Sequence, residues 1–309
     1  MIKLVGHYIA ACIRKLYFLF PDDSIYLRLV YIFEMGHWLS YSHPRRFTEK
    51  LQWLKIHDRK PQYIKMVDKI AVKEYVANII GNQYIIPTLG IWDHFEDIDF
   101  DSLPRQFVLK TNHGSGSSGV VICKDKNSFD RENAMKLLEK GLKRNTYNKY
   151  REWPYKNVQP KIFAERMLSE SPKDSFDAKD LTDYKFYCFS GEPKYCQVIQ
   201  GRNTEETIDF FDSDWNHQKF IGLNPKAKNA RVCPKRPKQL DSMLSIARNL
   251  SADIPFARVD LYEVQDELKF GEITFYPNSG FGRFTPSHYD IILGGMLKVT
   301  DEMGGDMHS

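Results

Sequence analysis

The chain is poor in the features that most often announce a function. Its cysteines, Cys12, Cys123, Cys188, Cys196 and Cys233, are odd in number and contain no CxxC pair. That argues against a disulfide framework or a zinc site and for reduced thiols in a cytosolic compartment. A dominant charge is missing too. Lys and Arg number 44 against 40 Asp and Glu, a formal net charge of +4, which suits anionic ligands without calling for nucleic acid. No glycine-rich stretch ends in Gly-Lys-Ser/Thr, so there is no P-loop. Internal repeats and long low-complexity tracts are absent.

Long apolar runs are also lacking. Residues 4–20 come nearest, but His7, Arg14 and Lys15 interrupt them and no clean small-residue cleavage site follows. A spanning helix needs about 20 apolar residues. An amphipathic helix fits better, packed on the protein's own body; contact with a membrane surface through Arg14, Lys15, Tyr17, Phe18 and Phe20 is the alternative. What is present is ordinary globular composition, 42% hydrophobic and 27% charged over 309 residues. That length predicts two or three packed lobes.

The densest chemistry lies near the C-terminus. Residues 256–263 and 268–275 alternate and are rich in branched and aromatic side chains, which predicts a hairpin. With a three-residue connection, Gln265 to Glu267, Asp260 falls opposite Glu272 and Arg258 opposite Thr274. Directly opposed side chains lie about 4.5–5.5 Å apart at Cβ. Two carboxylates that close repel each other, and a shared divalent cation is the usual remedy. The competing reading is a solvent-facing pair on an ordinary hairpin. Beyond it, residues 276–283 add polar groups and glycines, and Gly-flanked Arg283 is the candidate for bidentate contacts to an acidic substrate.

Upstream, residues 48–56 read as a helix with Leu51, Leu54 and Lys55 on one face. Residues 68–80 read as another, with Lys69 at its start and Gly81 as its stop. A short strand is expected at 84–86, and a buried strand at 106–110 ends in Lys110. The Gly/Ser loop 111–119 holds His113, Gly114, Ser115, Gly116 and Ser117. Its glycines let backbone N–H groups approach phosphate oxygens. Because residues 120–123 form another strand, the loop reads as a flap between strands. A basic helix follows at 131–145, then a strand at 161–165 with Arg166, Met167 and Leu168 running out of it, a polar loop, a hairpin over 183–200, a strand at 208–211 and a helix at 239–250. Lys69 and Lys185 each keep a second reading as solvated lysines, and His113 one as a structural turn residue.

This order, Lys69, Lys110 before the flap, Glu165, then Asp183 with Lys185, then Arg-x-Asp…Glu, resembles the ATP-grasp superfamily. The wording is most similar to its TupA-like branch, found in surface-polymer and teichuronopeptide gene clusters. The matching stretches include Phe47-Thr-Glu-Lys-Leu-Gln-Trp-Leu-Lys55, Asp68-Lys69, Phe107-Val-Leu-Lys-Thr-Asn-His-Gly-Ser-Gly116, Asp183-Tyr-Lys-Phe186, Arg258-Val-Asp-Leu261 and Gly271-Glu-Ile-Thr-Phe-Tyr-Pro277.

The resemblance implies an α+β fold with two lobes closing on ATP behind a helical extension: residues 1–104, 105–168 and 169–309. It also implies ATP and Mg²⁺ as cofactors. Lys110 and Lys69 would reach phosphate oxygens from two sides under the flap, with Lys185 also in the nucleotide site. Glu165 would mark the hinge strand, whose backbone at Arg166 to Leu168 reads the adenine edge. Asp260 and Glu272 would hold the metal, and Arg258 would neutralise the transferred phosphoryl group. The superfamily often reads Glu-x-Asn where this chain has Glu272-Ile-Thr274, so Asn278 is the expected third ligand.

The implied reaction is carboxylate–amine ligation through an acyl phosphate. By analogy with the branch, the acid is an amino acid or a uronic acid of a capsular or cell-wall polymer, and the setting is the cytoplasm or the inner membrane face. A glycosyltransferase of the same pathways, a sugar kinase and a non-enzymatic binding protein are the competing classes.

Overall fold

Two antiparallel sheets carry the fold, and the computed structural model describes residues 2–114, 119–168, 181–202, 204–223 and 227–299, with side chains from Val5 onward. The smaller sheet contains β1 (Thr88–Trp92), β2 (Phe107–Thr111), β3 (Val120–Cys123) and β4 (Ile162–Arg166), in the order β1-β4-β2-β3. The larger contains β5 (Asp183–Phe189), β6 (Glu192–Gln200), β7 (Thr207–Asp212), β9 (Phe256–Val264) and β10 (Glu267–Thr274), in the order β10-β9-β5-β6-β7. Two short strands, β8 (Ile221–Gly222) and β11 (Phe284–Thr285), pair separately. The helices are α1 (Ile2–Lys15), α2 (Asp23–Met35), α3 (Phe47–His57), α4 (Gln62–Val67), α5 (Ala71–Ile80), α6 (Arg131–Leu142), α7 (Thr146–Tyr150), α8 (Leu240–Leu250) and α9 (Tyr289–Met296). The class is α+β, as expected.

Alternation sets which face of each sheet is covered. On β2, Phe107 and Leu109 are buried and pack with Ala134 and Leu138 of α6, leaving Val108 and Lys110 on the other face. On the large sheet, Phe186, Cys188, Ala257, Val259 and Leu261 join Met243, Ile246, Ala247 and Leu250 of α8 in the main core. The opposite face carries Lys185, Arg258 and Asp260. Each sheet thus turns an apolar face to a helix and a charged face away from it.

The expected divisions move. β1 pairs with β4, and Phe95, Ile98, Phe100 and Leu103 enter the small sheet's core, so that lobe starts near residue 88, not 105. The strand expected at 84–86 is not formed. A 3-10 turn, Asn82–Tyr84, stands there and the strand follows it. The helix expected over 68–80 begins at Ala71, because the Asp68 carboxylate accepts the backbone N–H groups of Ile70 and Ala71 at its entrance. Nor is residues 1–104 one extension. Leu51, Leu54, Tyr63, Val72 and Val76 belong to the large-sheet core, whereas Tyr26, Leu27, Val30 and Tyr31 of α2 form a separate cluster.

Leu51, Leu54 and Lys55 share a buried face of α3, as their spacing predicts. Lys55 is wholly enclosed. Its ammonium donates to Gln52 Oε1 (2.9 Å), Tyr150 O (2.8 Å) and Ser279 O (2.8 Å), which ties three segments together. Burial pushes its pKa down to about 7, although buried Glu152 opposes the shift.

The C-terminal hairpin shows a compensated register. Its turn has two residues, Gln265 and Asp266, both at positive φ (52° and 62°), not the expected three. That geometry matches the twist of the flanking strands. A bulge between Phe270 and Glu272, at Gly271, then restores the missing residue. Asp260 consequently pairs with Glu272 and Arg258 with Thr274, as the sequence predicts.

Candidate active site

On the face of the large sheet turned away from α8, strand register lays charged groups in rows. Glu272 stands beside Asp260, which stands beside Lys185 and then Gln197; one step along, Thr274, Arg258, Tyr187 and Tyr195 form the next row. Arg258 lies along both acids. Its Nε donates to Asp260 Oδ1 (2.7 Å), and its Nη2 donates to Asp260 Oδ2 (2.8 Å), Glu272 Oε1 (2.9 Å) and Thr274 Oγ1 (3.0 Å). Lys185 donates to Asp260 Oδ2 from the other side and lies 3.7 Å from Asp183. The acids are therefore not left repelling: a guanidinium is the cation they share.

Their surroundings differ. The Asp260 side chain is 1% exposed and both its oxygens are engaged, while Glu272 is 32% exposed. Glu272 Oε2 has Lys69 at 3.9 Å. Burial would raise the Glu272 pKa, but Lys69, Arg258, Lys185 and Lys110 together outweigh it and hold the group near 2. It is an ionised carboxylate partly open to the cleft.

The small sheet brings its own cluster. Glu165, buried near the end of β4, accepts from Lys110 Nζ at 2.5 Å and pairs with Lys73 Nζ at 2.6 Å. Both lysines outweigh the burial that would otherwise raise the Glu165 pKa. Lys110 and Glu165 lie on one face because β2 and β4 pair Val108 with Glu165 and Lys110 with Phe163. Lys73 was missed in the sequence, where it is one more lysine on a helix. The signal was its position one turn beyond Lys69 on the helix that opens at Asp68.

Lys69 joins the two clusters. It sits in the turn before α5, and its backbone N–H donates to Asn112 O at 3.0 Å. Its ammonium donates to Gly114 O. Burial lowers its pKa, with Glu272 opposing. Lys69, Lys73, Lys110, Lys185 and Arg258 thus surround Glu165, Asp260 and Glu272, and Asp183 stands beside Lys185 with Arg202 also paired to it, six cations against four carboxylates. The surplus positive charge suits a polyanion.

Not every expected residue comes to this place. His113 is buried, its Nδ1 facing Asn112 Oδ1 (3.2 Å) and its Nε2 facing Arg144 O (2.9 Å), so its ring is a structural post. Asn278 donates to Leu223 O (2.5 Å), and Thr274 is the polar neighbour of Glu272 instead, 3.4 Å away. Arg283 reaches away from the hairpin and donates to Glu34 O in the last turn of α2 at 2.5 Å. There it satisfies an end carbonyl. The Arg166 backbone N–H is spent on Pro87 O (3.1 Å); Met167 and Leu168 follow it, half-buried. Gly114 opens the flap, whereas Ser115, Gly116 and Ser117 lie outside the described residues. The flap's far end is fixed where Thr111 N–H donates to Gly119 O at 2.9 Å.

The sequence profile of the TupA-like ATPgrasp family matches residues 49–298, an interval that takes in both sheets and every cation of this cleft. The chain belongs to the TupA-like ATP-grasp family.

Solved structures with detectable likeness include a D-alanine–D-alanine ligase from Bacillus anthracis, with 16% identity, TM-score 0.39, and 68% of this chain and 57% of that chain covered. A D-alanine–D-alanine ligase from Helicobacter pylori has 12% identity, TM-score 0.37 and coverage of 75% and 61%. The ATP-grasp ligase PsnB, complexed with its minimal precursor, Mg and ADP, has 12% identity, TM-score 0.37 and coverage of 74% and 57%. The chain spans less than two thirds of the length of each of these three. No curated protein sequence matches.

The fit of a divalent cation follows from the donor set. Among the described residues no group of three or more His, Cys, Asp or Glu is placed to enclose a metal. Mg²⁺, however, is commonly held by one or two carboxylates plus the phosphates of its substrate. Glu272, ionised and partly exposed, fits that role; Asp260 fits it once Lys185 yields an oxygen.

Proposed function

We propose that the protein is an ATP-dependent carboxylate–amine ligase working through an acyl phosphate. The observation that carries the reading is the convergence of Lys69, Lys110, Lys185 and Arg258 around one open carboxylate, Glu272, where two sheets meet, with Lys73 beside them on Glu165. Phosphoryl transfer demands positioning and charge neutralisation more than covalent help from the protein. Five fixed cations supply both without a nucleophilic serine or cysteine.

In this reading ATP lies with its phosphates among the cations. Lys110 exchanges Glu165 for a phosphate oxygen, and Lys69 exchanges the Gly114 carbonyl for another. Backbone groups at Met167 and Leu168 meet the adenine edge. Glu272 and Asp260 would hold Mg²⁺, which would supply neutralisation of phosphate charge. Arg258 faces the oxygens of the γ-phosphoryl group as the substrate carboxylate attacks phosphorus and ADP departs. An amine then attacks the acyl carbon, and inorganic phosphate leaves as the amide forms. The flap keeps water from the acyl phosphate in the interval.

The substrates we favour are an amino acid or amine and a carboxylate such as a uronic acid of a surface polysaccharide. That choice rests on the company the branch keeps, which is association. The test is ADP and phosphate release with Mg²⁺ and ATP over a matrix of acids and amines. The ligase reading expects release to need both partners and product mass to match an amide. ADP release with a sugar alone, leaving phosphate on that sugar, would replace it with a kinase.

A further inference from the structure

Helix α1 and the turn after it divide their side chains between two surroundings. Ala10, Ile13, Tyr17 and Phe20 pack toward α2. Arg14 pairs with Glu34 at 3.0 Å and lies 5.2 Å from the Phe281 ring centre. These residues are occupied. The remaining side chains form an apolar face that the protein leaves uncovered: Val5 is 52% exposed, Tyr8 73%, Leu16 45%, Phe18 67% and Leu19 60%. At 100° per residue Val5, Tyr8 and Leu16 fall within about 80° of one another on the helix. Phe18 and Leu19 extend the patch in the 3-10 turn Tyr17–Leu19.

We propose that this face docks the protein on an anionic lipid bilayer, with α1 lying flat among the headgroups. Charge decides for a bilayer over other occupants. Residues 1–21 contain no acid; Arg14 and His7 both lie against Glu34, at 3.0 and 2.7 Å, so the charge left to meet an anionic surface is that of Lys15, exposed beside the patch, and of Lys3 earlier in the sequence. A second copy joined about a two-fold axis would set this acid-free segment against itself, like charge to like. An anionic surface supplies the opposite sign, and each basic residue near it strengthens binding about fivefold. Length agrees. Fourteen helical residues span about 21 Å, short of the roughly 30 Å hydrocarbon core, and no helix among the described residues is long and apolar enough to cross a membrane. Tyr8 and Phe18 place aromatic rings where headgroups meet acyl chains. The docking residues are thus only partly those expected from the sequence, since Arg14, Tyr17 and Phe20 are spent inside.

The test is co-sedimentation of the full chain with vesicles of phosphatidylglycerol and phosphatidylcholine in equal parts, and of phosphatidylcholine alone. The parent should prefer the anionic vesicles about tenfold or more and lose that preference between about 0.05 M and about 0.5 M salt. A Phe18→Glu, Leu19→Glu double variant should bind at least about tenfold more weakly with its melting temperature unchanged. Should that variant melt below the parent, Tyr8→Ser carries the test in its place. Equal binding of the parent to both lipids, or undiminished binding of the variants, overturns the proposal. So does a parent that sediments as a dimer and a variant that sediments as a monomer, which would make a second copy the occupant.

Discussion

Glu165 and Glu272 sit in the same cleft, on the two different sheets, and both are ringed by basic side chains. Yet one is closed and the other open. Each Glu165 oxygen is taken by a lysine, at 2.5 and 2.6 Å, and its side chain is 7% exposed. Glu272 gives one oxygen to Arg258 and Thr274 and leaves the other 3.9 Å from Lys69. The contrast teaches that surrounding charge alone does not mark a working acid. A carboxylate saturated at hydrogen-bond distance holds lysines in place, whereas one ringed by cations but with an oxygen left unsaturated can accept something new.

The largest expected effect is on turnover. Glu272→Gln should lower nucleotide turnover about 10³-fold, the scale of losing one preorganised charge contact, while its melting temperature in the absence of nucleotide falls less than that of Glu165→Gln. Comparable losses of turnover in Glu165→Gln and Glu272→Gln, with equal melting temperatures, would erase the distinction drawn above. Next comes stability. Glu165→Gln leaves Lys73 and Lys110 without their shared counter-charge in a mostly enclosed place, and denaturant titration should show a loss of about 2–3 kcal/mol. An unchanged midpoint there would mean the lysines relax into solvent.

Acid sharpens the comparison further. The Glu272 pKa lies near 2 in the fold against an ordinary 4.5. A depressed carboxylate stabilises the folded state above its unfolded pKa, and that contribution disappears as pH falls through the folded one. Glu165 is shifted the same way. Melting temperature should therefore decline between about pH 4.5 and pH 2. Each Glu→Gln variant should flatten its own share of the slope; a variant as steep as the parent places the titration elsewhere. The smallest effect belongs to Arg283→Ala. It removes one donor to the α2 terminus, costs about 1 kcal/mol of stability, and leaves the KM for an acid substrate unchanged. A raised KM would return Arg283 to the substrate site.

Much of this was legible in order and spacing. The alternation of residues 256–263 and 268–275 placed Asp260 opposite Glu272, and Lys110 before the Gly/Ser loop marked the small sheet's side of the cleft. The failures have local causes. Arg283 and Asn278 were judged by closeness in sequence to the C-terminal hairpin, but the left-handed pair Asn278 and Ser279 (φ 51° and 53°) turns the chain sharply after Pro277. What lies near in sequence then serves other segments. His113 sits beside the flap, yet Asn112 and the Arg144 carbonyl claim its ring, and long-range hydrogen bonds of that kind leave no pattern in the sequence. Lys73 was invisible for the opposite reason: its partner Glu165 is 92 positions away.

The hairpin register has a consequence for how this site tolerates change. Strand parity works like a reading frame, and the turn and the bulge at Gly271 are two offsets of opposite sign. Carried unbroken from the turn, the pairing would set Glu272 opposite Val259 and point the carboxylate into the hydrophobic core. A Cβ on Gly271 would stand 3.1 Å from the Asp260 carbonyl oxygen and 2.9 Å from Tyr262 Cε2, so a side chain there crowds the very correction that restores the frame. Deleting Gly271 should leave the frame intact, because Phe270 opposite Leu261 is then followed directly by Glu272 opposite Asp260. A bulky side chain at Gly271 keeps the extra residue but crowds its bulge, and that is the change that should push Glu272 out of frame.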